Sequence, residues 1–221
     1  MKNLVLISCV LALLSLSFSG ESQAKQTRRD GKWEASFQLL NSLSTDISGE
    51  NGSSVDIDSD IGWGFTLGYN VNPHVLVNFE FSSTSPKYDA TLINEDSDDT
   101  YNIKHSMDLY NSQFNVVYNF MSEQFTPFVQ AGLGWSYLDS NVADGPPGTV
   151  CWWDPWWGYI CEGYQDTYSD TRFSYNVAAG VRYELDNSLF FRASYQQNWV
   201  DLSNSDDLSM GMVHLEVGSI F

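Results

Sequence analysis

The run CWWDPWWGYIC, from Cys151 to Cys161, sets Trp152, Trp153, Trp156, Trp157 and Tyr159 between two cysteines. A thiol pair can close a disulfide or help bind a metal, and aromatics displayed together make an adhesive patch. Two further runs invite a chemical reading. His105-Ser106-x-Asp108 offers a base, a hydroxyl and a carboxylate. Adjacent residues on a strand point to opposite faces, so this run cannot form a triad by itself and its members would need partners elsewhere. No G-x-S-x-G elbow is present, the usual seat of a serine nucleophile. Asp56-x-Asp58-x-Asp60 begins like a calcium loop, but Ile61 stands where that loop needs Gly and Leu67 where it needs Glu. The expectation is a chain that is not an enzyme and holds no cofactor or metal.

The N-terminus decides which cysteine chemistry applies. Lys2, the apolar run Leu4–Leu14 and the Ser22-Gln23-Ala24 ending have the layout of a secretory signal peptide. That apolar run is too short for a transmembrane helix, which needs about 20 residues. The reading is a signal over residues 1–24, which removes Cys9, and an exported domain over 25–221. Cys151 and Cys161 are then an even pair in an exported chain, which reads as one disulfide. A loop of that length stabilises by about 2.5–3 kcal/mol in the chain-entropy description. A metal pair lacks companions, since no second cysteine pair exists and the three histidines are scattered. The formal charge of −18 opposes nucleic acid as a partner, because a phosphate backbone requires a basic face.

Eight segments alternate apolar and polar residues with period two. They begin at Lys32, Asp60, His74, Leu109, Pro127, Arg172, Leu189 and Met210. Trp33, Ala35, Phe37 and Leu39 share one face of the first, and Val129, Ala131, Leu133, Trp135 and Tyr137 share one face of the fifth. No helical period lies between them. Three connections are tight, around Pro73, Ser122 and Asn187, while four are long, roughly residues 44–59, 85–105, 139–170 and 201–207. Long and short alternate strictly, so all the long loops fall at one end. That asymmetry predicts an all-β, eight-stranded antiparallel up-and-down transmembrane β-barrel.

A soluble lipocalin-like barrel would alternate too, with its apolar face inside. The opposite face here carries Gly, Ser, Asn and Gln with Glu34, Glu80, Arg182, Arg192 and Glu216, which suits a packed lumen. Aromatics near the strand ends (Trp33, Tyr69, Tyr118, Phe120, Tyr137, Tyr183, Trp199) suit two membrane interfaces. The five charged residues read as a structural ion-pair network or as a gate in a narrow path; His214 on the same face reads as a hydrogen-bonded lumen residue.

Segments such as TPFVQAGLGWSYLDSN, FSYNVAAGVRYEL and LFFRASYQQNW, with the final Phe221, resemble the small outer-membrane β-barrel superfamily, which includes the OmpA transmembrane domain, OmpX, OmpW and opacity-type adhesins. The resemblance spans the exported chain. It implies outer-membrane lipid and lipopolysaccharide as surroundings, the barrel assembly machinery as a partner that reads Phe221, and long loops outside with both termini periplasmic. It implies little about activity, because one scaffold serves several functions. Expected roles are envelope structure and adhesion through the loops to an unidentified extracellular partner, or an OmpW-like conduit for small or hydrophobic solutes. The long loops are acidic, which reads as a solvated surface or as weak divalent-cation binding. The tryptophan run lies in the longest of them, either packed over the mouth and outer leaflet or displayed for a partner.

Overall fold

The computed structural model describes residues 29–48, 54–93, 100–143, 148–164, 167–185, 188–201 and 208–221. The expected signal peptide, residues 1–24, lies outside them, as does most of the fourth long connection.

Eight strands close the barrel. They are β1 (Trp33–Ser42), β4 (Asp60–Asn70), β5 (Val75–Thr84), β8 (Asp108–Asn119), β9 (Phe125–Ala143), β12 (Thr167–Glu184), β13 (Leu189–Val200) and β14 (Leu208–Ile220). Each pairs antiparallel with its neighbour, and β1 pairs with β14 to complete the circle. At the seam, Trp33 and Phe221 exchange both backbone hydrogen bonds. Closure leaves no free edge, the condition for a sheet to cross lipid.

Burial follows the alternation, inverted relative to a soluble protein. In β1 the inward residues Glu34, Gln38 and Leu40 are buried, while Phe37 and Leu39 are half exposed. Phe65, Leu67, Phe114, Val116, Leu133, Val177, Leu215 and Val217 continue that apolar outer band around the wall. Aromatic pairs ring both ends of it. Trp33–Tyr69 and Tyr118–Phe120 lie at the tight-turn end, and Tyr110–Tyr137 and Tyr175–Trp199 at the other. An apolar belt between aromatic rings matches a bilayer. The lipocalin-like alternative, with its apolar face inside, does not fit this burial.

The long connections are more ordered than the period-two pattern indicates. Six further strands occupy three of them. Strands β2 (Thr45–Ser48), β3 (Ser54–Ile57), β6 (Lys87–Ile93) and β7 (Thr100–Ser106) form a four-stranded sheet at the long-loop end. Strands β10 (Gly148–Asp154) and β11 (Gly158–Tyr164) form a separate hairpin. The reading of 44–59 and 85–105 as plain loops is corrected. β2 and β3 have four residues each, with Asp46 and Asp56 among them, too few positions for a period to register, and they hold by pairing sideways (Ile47 with Val55, Ile57 with Tyr88).

Candidate functional site

The lumen is filled in layers. Nearest the tight turns lies an ionic layer of three arginines and three glutamates. Arg182 donates from both terminal nitrogens to the Glu34 carboxylate, at 3.1 and 2.8 Å, and from Nε to Glu184 at 2.9 Å. Arg192 lies opposite Arg182 in the β12–β13 register, an arrangement of like charges that costs energy unless it is compensated. Glu34 also lies 3.2 Å from Arg192 Nη2, and Glu216 lies 3.0 Å from the same nitrogen. Phe190, fully buried, packs its ring 4.1 Å from the Arg182 guanidinium and 5.0 Å from that of Arg192. Arg192 Nε makes no hydrogen bond, so Arg182 is the better-held cation of the two.

Arg29 completes this layer. Its Nη1 donates to Glu184 at 2.7 Å, while Nε and Nη2 donate to the carbonyls of Pro73 and Met121 at 2.7 and 2.6 Å. One side chain ahead of the first strand thus ties two tight turns to the lumen. Periodicity could not reveal it, because Arg29 precedes the periodic region. Glu184 was legible on the inward face of its strand, but its place in the network was missed.

Above the ions lies an amide layer. Glu80 accepts from Gln38, Asn115 and Gln130 at 3.3, 3.0 and 3.2 Å. Among the expected ion-pair residues it is therefore the exception, held by amides, with the His214 ring 3.7 Å away. His214 Nδ1 lies 3.0 Å from Gln38 Oε1, the hydrogen-bonded lumen residue expected. Gln113 bonds Asn198 and Asn176, and Asn176 bonds Asn115. The outer end is then closed by Leu40, Met107, Leu109, Val200, Leu208, Met210 and Met212, with Ile57 of the four-stranded sheet packed on them. An apolar cavity of about 350 Å³ sits there, lined by Val55, Ile57, Tyr88, Met107, Leu138 and Leu208, with Ser140 and Asp170 at its rim. Burial in this apolar setting pushes the Tyr88 phenol above its ordinary pKa.

The hairpin is a second, separate feature. Cys151 and Cys161 are direct partners in its register and are joined as a disulfide. Trp153 faces Tyr159 in the same register and Trp152 faces Ile160. Asp154 Oδ1 accepts from the backbone N–H groups of Trp156 and Trp157, at 2.8 and 3.0 Å, which shapes the turn. Gly158 ends it at φ +76°, a left-handed conformation that favours glycine. Trp156 is 86% exposed, Trp157 79%, Tyr159 73% and Trp153 68%. These four rings are therefore not packed over the mouth, and their exposure fits both of the other expectations, rest on the outer leaflet and display for a partner.

The other runs resolve into structure. Asp108 Oδ1 accepts from Ser85 Oγ at 2.6 Å, and the Ser85 N–H donates to Asp60. His105 instead stacks beside Tyr88 in the four-stranded sheet, so His105, Ser106 and Asp108 are not assembled as a triad. Asp56 lies in register with Asp46 and Asp89, and Asp89 pairs with Lys104 at 2.6 Å. That hydrogen bond raises the Lys104 pKa. Among the described residues no group of three or more His, Cys, Asp or Glu is placed to hold a metal ion. Phe221 is exposed at the barrel seam.

The model of the family described as outer membrane protein beta-barrel domain matches residues 10–221. Solved structures with similar folds include Neisserial surface protein A, with TM-score 0.52 and 15% identity over 87% of this chain and 98% of that one. OprG of Pseudomonas aeruginosa has TM-score 0.52 and 12% identity over 87% and 97%. Ail, the attachment invasion locus protein of Yersinia pestis, solved with the heparin analogue sucrose octasulfate, has TM-score 0.51 and 17% identity over 87% and 99%. No curated protein matches the chain in sequence. At these identities the structural likeness concerns the fold alone.

Proposed function

Because the chain belongs to the outer-membrane β-barrel family, we propose that it is a non-enzymatic surface protein that attaches the cell to an external partner through its tryptophan hairpin. The long-loop end faces outside and the tight turns and termini face the periplasm, the usual arrangement for these barrels. One observation carries the reading: a disulfide-tied turn holds Trp153, Trp156, Trp157 and Tyr159 in solvent. Exposed aromatic patches mark interaction sites, and a rigid presentation lowers the ordering cost of binding. The polysulfated ligand in the Ail structure does not transfer readily, since no Lys or Arg occurs between Lys104 and Arg172.

The test is attachment of intact cells that express either the wild type or the Trp153→Ser, Trp156→Ser, Trp157→Ser variant to epithelial and abiotic surfaces. Attachment is expected to fall by roughly tenfold or more, as for loss of a binding hot spot. Equal attachment at equal surface expression would overturn the reading.

A second reading, a small apolar solute held at the outer mouth, is favoured by the 350 Å³ cavity. Passage through the barrel is opposed by the filled layers beneath it. Folded protein in a planar bilayer is therefore expected to carry no steady current, and resolved channel openings would favour the conduit instead.

A further inference from the structure

We infer that the hairpin docks on a zwitterionic lipid surface, its tip aromatics entering a layer of phosphocholine headgroups. This rests on the attachment reading above and names the partner. Shape argues first. The turn is convex: a Cβ placed at Gly158 would meet nothing within 4 Å, and Trp156 and Trp157 are more than three-quarters exposed. A discrete ligand such as a glycan needs walls and polar groups aimed at it. The tip carboxylate, Asp154, already accepts through Oδ1 from two backbone N–H groups of its own turn. A fluid headgroup layer supplies its own walls by closing around whatever protrudes into it.

Chemistry argues second. Trp and Tyr partition to the membrane interface, with ring bodies in the apolar boundary and N–H or O–H in the headgroups. Quaternary ammonium groups are attracted to indole faces. Charge selects among lipids. The tip carries Asp154, the long segment between Lys104 and Arg172 has no Lys or Arg, and the chain's formal charge is −18. Anionic lipids attract basic segments and repel such a surface.

Reach argues third. Beyond Tyr137, the last outward aromatic of β9, that strand continues to Ala143. At about 3.3 Å per residue and a tilt of about 40°, this carries the end of β9 roughly 15 Å clear of the bilayer interface.

The experiment uses the full-length mature protein in lipid nanodiscs, so that the apolar belt is covered, and measures its co-flotation with phosphatidylcholine vesicles. Wild type is expected to bind, with a blue shift in tryptophan emission. Trp156→Ser/Trp157→Ser is expected to bind at least about tenfold more weakly, given the apolar area removed. Replacing part of the phosphatidylcholine by phosphatidylglycerol is expected to weaken wild-type binding. An unchanged heat-dependent gel shift verifies that the variant is folded. Equal flotation of the folded variant, or a preference for phosphatidylglycerol, would overturn the inference. If vesicles do not bind while cell attachment still depends on the indoles, the lipid assignment fails and the attachment reading stands on a protein or glycan receptor. If neither depends on the indoles, both fail.

Discussion

Replacing Arg182 with Met is expected to lower the unfolding free energy of the barrel by about 3–5 kcal/mol, the range for breaking a buried ion pair from one side. The change removes one hydrogen bond to each oxygen of the Glu34 carboxylate, together with a bond to Glu184. It also upsets a balanced set: Arg29, Arg182 and Arg192 against Glu34, Glu184 and Glu216. Glu34 would keep Asn70 at 2.9 Å and Arg192 at 3.2 Å, so the loss is partial. The double variant Arg182→Met/Glu34→Gln restores the charge balance and should regain much of the loss. Urea unfolding in phospholipid vesicles measures both. A single variant as stable as wild type would show that the layer does not hold the barrel together.

Gly134→Val is expected to prevent a stable barrel from forming. Gly134 faces the lumen in β9, opposite Gln113 of β8. A Cβ there would collide with the backbone carbonyl of Ser112 and the Cα of Gln113. Backbone in a closed ladder cannot swing aside as a side-chain end can, so the strands must part and the Gln113 amide hub is lost with them. Overpacking usually costs about 1–3 kcal/mol, and a clash with backbone belongs at or above the top of that range. The expected result is loss of the SDS-resistant, heat-modifiable band. Gly163→Ala is the control, because the nearest atom to its added Cβ is 3.9 Å away and the hairpin lies outside the barrel.

The barrel was legible because lipid and lumen impose opposite demands on alternate residues. Phe37 beside Gln38, or Val217 beside Glu216, already states which face each side chain takes. The ionic layer was half legible for the same reason. Glu34, Arg182, Arg192 and Glu216 follow from inward parity alone, whereas Glu80 shares the parity but lies a layer higher, among amides. Arg29 reaches the lumen through a turn, and nothing in its neighbourhood repeats. The four-stranded sheet was hidden because it is held by lateral pairing of short strands, of four to seven residues, which leaves no period along the chain. The hairpin was legible in its covalent frame, through Cys151 and Cys161. Exposure of Trp153, Trp156 and Trp157 was not, because the same residues could equally have packed over the mouth.

The central claim is a disulfide-tied aromatic hairpin displayed on the outside of the cell. Chymotrypsin, which cuts after aromatic residues, tests it most directly when added to intact cells, since exposed loop tips are the preferred sites of nicking. Cuts after Trp153, Trp156 or Trp157 all fall between Cys151 and Cys161. The protein is predicted to be cleaved without opening the periplasm, to run as one chain without reductant, and to separate into two fragments with it. Resistance in intact cells, with cleavage only after the outer membrane is breached, would contradict the account.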